Sequence, residues 1–310
     1  MRLWQFGRLE GNKIRIDEEI GQPLGLVNGS QVFSTMFRYD HNGSSSYEMV
    51  LSTFGPENYR QLYNLTIYMI DKPGACAQAS QFLADRNVDI LNSDSLSMIS
   101  GVAMVWRMLV DLSYFGEPAD LKAEFEAAKK TSPSSLDKVD GIDMEVSHIS
   151  DRYTRGAASG SKTVKTKQVK RKTRTPSQIT KGMFEIPAEF MDELKGVRDG
   201  QPFMLVGDMD SYVLSVTMLD PSVRLMSMSL TIPDKPGSIN KAADALARSG
   251  VNMIMLHTKV LNYYESMSLE IVADISNCSV SMDELKARLE VALSTFKAPS
   301  EVQIFRPIVL

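Results

Sequence analysis

A stretch of about 30 residues occurs twice in this chain, and few folds are compatible with that duplication. LYNLTIYMIDKPGACAQASQFLADRNVDIL, from Leu62, aligns with LMSMSLTIPDKPGSINKAADALARSGVNMI, from Leu225, at a constant offset of 163, with an identical DKPG in each. Before DKPG, apolar residues alternate in strand fashion: Leu65, Ile67 and Met69 in one copy, Met228, Leu230 and Ile232 in the other. After it, Cys76, Ala79 and Leu83, like Ile239, Ala242 and Leu246, recur at helical steps and share one face. Each copy therefore predicts a strand, a tight turn and an amphipathic helix. The helices are expected to stop at Asn87 and Gly250, the residue types that most readily take the left-handed conformation.

Downstream, VDILNSDSLSM with VAMVWRMLVDL, and VNMIMLHTKVL with SMSLEIVADI, read as hairpins whose connections contain Gly101 and Asn262. A second helix follows in each half. Pro118 opens one, and Ser281 with Glu284 forms a capping box for the other. GIDMEVSHI and EVQIFRPIVL supply the last strands. Each half then reads β-α-β-β-α-β, the split arrangement in which two helices cover one face of four antiparallel strands and leave the other face open. The fold class is α+β: two ferredoxin-like units plus small β-barrel segments contributed by both halves.

Those segments lie upstream of each unit, as GNKIRIDEEIGQPLGLVNGSQVFSTMF and KGMFEIPAEFMDELKGVRDGQPFMLVG, with Gly29 and Gly200 at equivalent turns. Each is about 40 residues of mostly short strands, too small to bury a core alone, so the two are expected to pair. The expected division is a barrel segment at 1–60, a unit at 61–150, a linker at 151–182, a barrel segment at 183–222 and a unit at 223–310. The linker holds ten Lys or Arg and one acid, Asp151; it carries +9, and the remainder of a chain of net charge −4 carries −13. It has almost no large apolar residues to offset the entropy of ordering, so a flexible linker or exposed loop is expected.

A strand ending in Asp-x-Pro-Gly, an apolar helix, then Val-Asp or Val-Asn opening a second strand resembles the ACT domain, over a little more than half of the chain. The upstream pieces, with GMFEIPAEF followed by GVRDGQPFMLV, are similar to swapped-hairpin barrels of the AbrB type, with Asp17 in the first half where the second has Pro187. The ACT resemblance implies paired units that hold a regulatory ligand, typically an amino acid, between the first turn and helix and a partner's second strand. The ligand-binding residues it implies are Asp71, Pro73, Gly74, Ala75, Cys76 and Asn92 in one copy. In the other they are Asp234, Pro236, Gly237, Ser238, Ile239, Asn240 and His257.

Physical chemistry supports that placement, because the first amides of a helix lack intrahelical partners and carry the positive end of its dipole. The turn glycines lack a Cβ and admit close approach, while Pro73 and Pro236 narrow the alternatives of the backbone. Asp71 and Asp234 can accept from a ligand ammonium or cap their own turns. Ser238 and Asn240 stand where the first copy has Ala75 and Ala77, so the second copy is expected to offer more polar contacts.

Other function classes find no support. The three histidines, His41, His148 and His257, form no metal-spaced cluster or nucleophile-base pair, and neither phosphate-loop pattern is present. No catalytic residue, metal site or cofactor is expected. Two cysteines without paired spacing and no apolar run of about 18 residues point to a cytoplasmic protein away from membranes. The partners expected are a small-molecule effector and further copies of the chain. Two alternatives stay open: DNA, met by the barrel pieces and KTKQVKRKTRT, or a metabolic enzyme regulated by this chain.

Overall fold

A computed structural model of the chain describes residues 2–41, 44–54, 61–146, 169–194, 196–209, 211–296 and 300–308. The chain divides into two compact units, one of 1–199 with 203–218, the other of 200–202 with 219–310.

The first unit begins with β1 (Arg2–Arg8), β2 (Lys13–Arg15), the short helix α1 (Glu18–Gly21), β3 (Gln31–His41) and β4 (Ser44–Ser52). A ferredoxin-like module follows: β5 (Leu62–Met69), α2 (Ala75–Ala84), β6 (Asp89–Ile99), β7 (Ala103–Asp111), α3 (Pro118–Thr131) and β8 (Val139–Val146). The unit then resumes with β9 (Val169–Gln178), β10 (Met183–Glu185), α4 (Ala188–Glu193), β11 (Pro202–Asp208) and β12 (Val213–Met218). The second unit is the other module: β13 (Leu225–Pro233), α5 (Ser238–Arg248), β14 (Asn252–Asn262), β15 (Ser266–Asp274), α6 (Met282–Ser294) and β16 (Glu301–Pro307).

The two modules share one topology, with strand orders β6-β7-β5-β8 and β14-β15-β13-β16 and all neighbouring strands antiparallel. Alternation drives it: Leu65, Ile67 and Met69 face Ala79, Leu83, Leu121 and Phe125 in one core, and Met228, Leu230 and Ile232 face Ala242, Leu246, Leu285 and Leu289 in the other. The first helices end as the sequence predicts. Asn87 (φ 53°) and Gly250 (φ 75°) are left-handed, and the next amides, of Val88 and Val251, donate back to Leu83 O and Leu246 O. Pro118 starts α3. Only half of the capping box forms, since Ser281 accepts from Glu284 N while the Glu284 carboxylate takes Arg288 at 2.6 Å.

The upstream pieces interleave as expected. Their strands make one six-stranded sheet, β1-β11-β12-β4-β3-β9, and a two-stranded ribbon of β10 with β2, so both halves supply every layer. One core takes Ile14, Leu24 and Met36 from the first half and Phe184, Phe190 and Phe203 from the second. Asp17 and Pro187 do the same backbone job before α1 and α4, with ψ 147° and 138°. The strands are not all short, since β3 has 11 residues and β4 has 9.

Two expectations need correction. The linker does not run to 182: residues 169–178 are strand β9, held by backbone pairing to β3, and β10 starts at Met183. A strand that borrows its sheet from a neighbour needs few apolar residues of its own, and Pro176 is absorbed where the register shifts between Val32 and Ser34. Residues 151–168 of the expected linker lie outside the described residues. The open face of the first module is also partly covered, because Leu62 and Leu109 pack with Phe37, Val50 and Val213 of the six-stranded sheet.

Candidate functional site

The two DKPG turns are superposable in their dihedrals. Gly74 has φ 92° and ψ −9°, and Gly237 has φ 93° and ψ −11°, a left-handed conformation that glycine adopts without Cβ strain. Lys72 N donates to Ile70 O at 2.8 Å and Lys235 N to Pro233 O at 2.9 Å. Ala75 N and Ser238 N then close on Lys72 O and Lys235 O at 3.2 and 3.1 Å. The first bonds inside each helix are Gln78 N to Gly74 O and Lys241 N to Gly237 O, both 3.0 Å. Between these, the amides of Cys76 and Ala77, and of Ile239 and Asn240, have no protein partner among the described residues. Each helix thus offers two bare donors at its positive end, beside a turn in which Pro73, Gly74 and Ala77, or Pro236, Gly237 and Asn240, are exposed.

The copies differ in what stands beside the turn. In the first, Lys138 Nζ donates to Pro73 O at 2.9 Å and lies 3.1 Å from where a Gly74 Cβ would sit, bringing a positive charge to the helix start. In the second, the nearest group to that place on Gly237 is the Phe296 ring, at 3.9 Å. The expectation that Ser238 adds a polar contact is not met: its side chain is fully buried and its hydroxyl has no partner. Ala75 is buried likewise, and Cys76 and Ile239 are half-buried, packed against the cores. Asn240 alone among the second copy's polar additions reaches solvent.

Asp71 and Asp234 do not cap their own turns; their carboxylates accept from the following hairpin instead. Asp71 Oδ2 accepts from Ser97 Oγ at 2.7 Å and Gly101 N at 2.9 Å, and Asp234 Oδ2 accepts from Tyr264 N at 2.8 Å. Each carboxylate ties its turn to the tip of the following hairpin. The tip donors are equivalent left-handed residues, Gly101 (φ 73°) and Tyr264 (φ 63°), and the second tip turn, opened by Asn262, closes with Glu265 N donating to Asn262 O at 3.0 Å. The Ser97 hydroxyl, with the Gly101 amide, holds the Asp71 carboxyl below the usual carboxylate range. At the second tip, the Tyr264 hydroxyl, then partial desolvation and the charge of Asp234, push the Tyr263 phenol up.

Asn92 and His257 are not brought to these turns within their own modules. Asn92 pairs with Leu109, which pairs with Asn64, five residues before Met69 at the end of the strand and therefore roughly 17 Å from the turn at about 3.4 Å per residue. His257 pairs with Glu270, opposite Ser229, a similar distance from Asp234. They also differ in place: under the repeat His257 corresponds to Asp94, and Asn92 to Met255. Both lie on the edge strands β6 and β14, the free side of each sheet. Among the described residues no cluster of metal-ligating side chains occurs, and no helix is long and apolar enough to cross a membrane.

No protein-family model and no curated protein matches the chain. Solved structures that align with it include an unknown protein from Galdieria sulphuraria, 12% identical over 80% of this chain and 99% of that one, with a TM-score of 0.23. A putative glycine cleavage system transcriptional repressor is 11% identical over 80% of this chain and 98% of that one, with a TM-score of 0.24. The ligand-free regulatory subunit of aspartate kinase from Thermus thermophilus is 9% identical over 75% of this chain and 92% of that one, with a TM-score of 0.21. Such scores decide nothing about function, and the ferredoxin-like assignment stands on strand order and register.

Proposed function

We propose that this chain is a non-catalytic, ligand-responsive regulator in which the DKPG helix starts seat the carboxylate of a small molecule, an amino acid in the first place. The observation that carries the reading is the pair of unpartnered amides behind each left-handed glycine, at the exposed start of a helix of 10 or 11 residues. Lys138 beside the first turn favours that copy for an anionic group, since charge-assisted hydrogen bonds are roughly twice as strong as neutral ones.

The rest of the pocket comes from a second strand of another module, as in the ACT domains these units resemble. Two features support such pairing. β6 and β14 are free sheet edges of 11 residues each. Of the fourteen exposed large apolar residues among those described, nine belong to the two hairpins, including Leu96, Met98, Ile99, Val260, Leu261 and Tyr263. Self-association of the chain through these edges completes the site and lets occupancy shift the assembly between two states.

A thermal-shift screen against the twenty amino acids tests the reading. A ligand at a hundred times its dissociation constant adds about 2.7 kcal/mol of stability. Ala77→Pro removes one bare amide from the first turn of the helix, where proline is tolerated, and is expected to weaken binding roughly tenfold to a hundredfold, the worth of one charge-assisted bond. A null screen, or ligand affinity untouched by both Ala77→Pro and Asn240→Pro, rejects the proposal.

A further inference from the structure

On the face of the first module's sheet opposite α2 and α3 lies a cavity of about 300 Å³. Its floor is formed by residues that the register brings side by side. Asp94 is directly opposite Arg107, which is directly opposite Thr66; Asn64, two residues along β5, is opposite Glu145. Its roof is Met209 and Tyr212, from the connection between β11 and β12 in the same compact unit. Tyr212 is held there by its carbonyl, which accepts from Ser52 Oγ at 3.1 Å, and by edge contact with the Phe54 ring at 5.8 Å.

The charged groups of this cavity are unspent. The side chains of Arg107, Asp94 and Glu145 make no hydrogen bond or ion pair among the described residues, although Asp143 on the same face is taken by Lys122 at 3.3 Å. The fold does not ask for them either. In the second module the corresponding positions are Glu270 for Arg107, His257 for Asp94 and Ser229 for Thr66, on the same register in the same sheet. Charges that a sister module reverses or omits without changing the topology are free to serve recognition.

From this arrangement we infer that the cavity is a second binding site, separate from the helix starts, for a cationic α-amino acid. Arg107 presents a planar fork that suits a carboxylate, and the two flanking carboxylates suit ammonium groups. Among the described residues, one guanidinium against two carboxylates gives the site −1, complementary to a ligand that carries one carboxylate and two ammonium groups. Distance agrees. Asp94 and Glu145 stand three strands and two residues apart, roughly 16 Å between Cβ atoms at about 4.8 Å per strand and 3.4 Å per residue. Both residues line the cavity, and an extended diamino acid with a hydrogen bond of about 2.8 Å at each end covers most of that span. Because the roof belongs to the six-stranded sheet and the floor to the module, such a ligand bridges them.

Isothermal titration of the full chain with L-lysine, L-norleucine and cadaverine tests the assignment. Norleucine lacks the distal ammonium and cadaverine the carboxylate, so each is expected to bind at least tenfold more weakly than L-lysine. Arg107→Met, at an exposed position that leaves folding intact, is expected to reduce L-lysine affinity by thirtyfold or more, with Arg107→Lys intermediate. Ala77→Pro is expected to leave it unchanged, which separates this site from the one proposed at the helix starts. Absence of L-lysine binding, equal binding by Arg107→Met, or loss on Ala77→Pro with Arg107→Met unaffected overturns the inference.

Discussion

Replacing Gly74 or Gly237 with alanine applies the same backbone strain to two different surroundings. Both glycines sit at φ near 92°, where an L-residue is disfavoured by roughly 1–2 kcal/mol. At Gly237 the new methyl meets the Phe296 ring at 3.9 Å, an ordinary contact, so the strain is the whole effect. At Gly74 it lies 3.1 Å from Lys138 Nζ, which must shift by a few tenths of an ångström and thereby weakens its bond to Pro73 O. An exposed bond of that kind contributes about 0.5–1.5 kcal/mol at most, so Gly74→Ala is expected to be the more costly by up to that amount. Denaturant unfolding of both variants gives the comparison, and for a module of about 90 residues 1 kcal/mol shifts the melting temperature by roughly 4–8 °C. Repeating Gly74→Ala in a Lys138→Ala background closes the cycle: the cost is expected to fall to that of Gly237→Ala. The reasoning is refuted if Gly237→Ala is as stable as the parent, or if removing Lys138 leaves the difference in place.

Gly250→Ala is expected to be the most damaging single methyl in the second module, because the new Cβ would lie 2.2 Å from the Asn277 carbonyl oxygen at φ 75°. Strain and displaced backbone together cost about 3 kcal/mol; a calorimetric melt coinciding with the parent's would contradict this. Asp71 gives a pH dependence. Its carboxyl titrates below the ordinary range when folded, so its contribution is present above about pH 4, the unfolded value, and is lost as pH falls from there through the folded one. Asp71→Asn is therefore expected to flatten the acid side of a stability profile below about pH 4, and an unchanged slope would count against the tether to Ser97 and Gly101.

The repeat makes the two modules legible in the sequence, because alternation, DKPG and the left-handed stops are local signals that occur in step. What stayed hidden is non-local. β9 reads as a charged linker since its right to be a strand lies in β3, more than a hundred residues earlier. Asp71 looks like a capping residue, and only the hairpin's return brings Gly101 to it across 30 residues. Ser238 looked like a ligand contact because sequence does not say which side of a helix start faces the core. Arg107 carried no signal at all: it becomes part of a charged cavity only when β5, β6, β7 and β8 are in register and Tyr212 closes over them.

The carboxylates of Asp71 and Asp234 make each DKPG turn and the end of its neighbouring arm into a single mechanical piece. On the proposed function, a molecule drawn onto the helix start would drag or brace the apolar arm, and whatever grips that arm from outside would register the event without touching the molecule. Under the proposed function, occupancy would be converted into surface across one carboxylate, a short path for a message to travel.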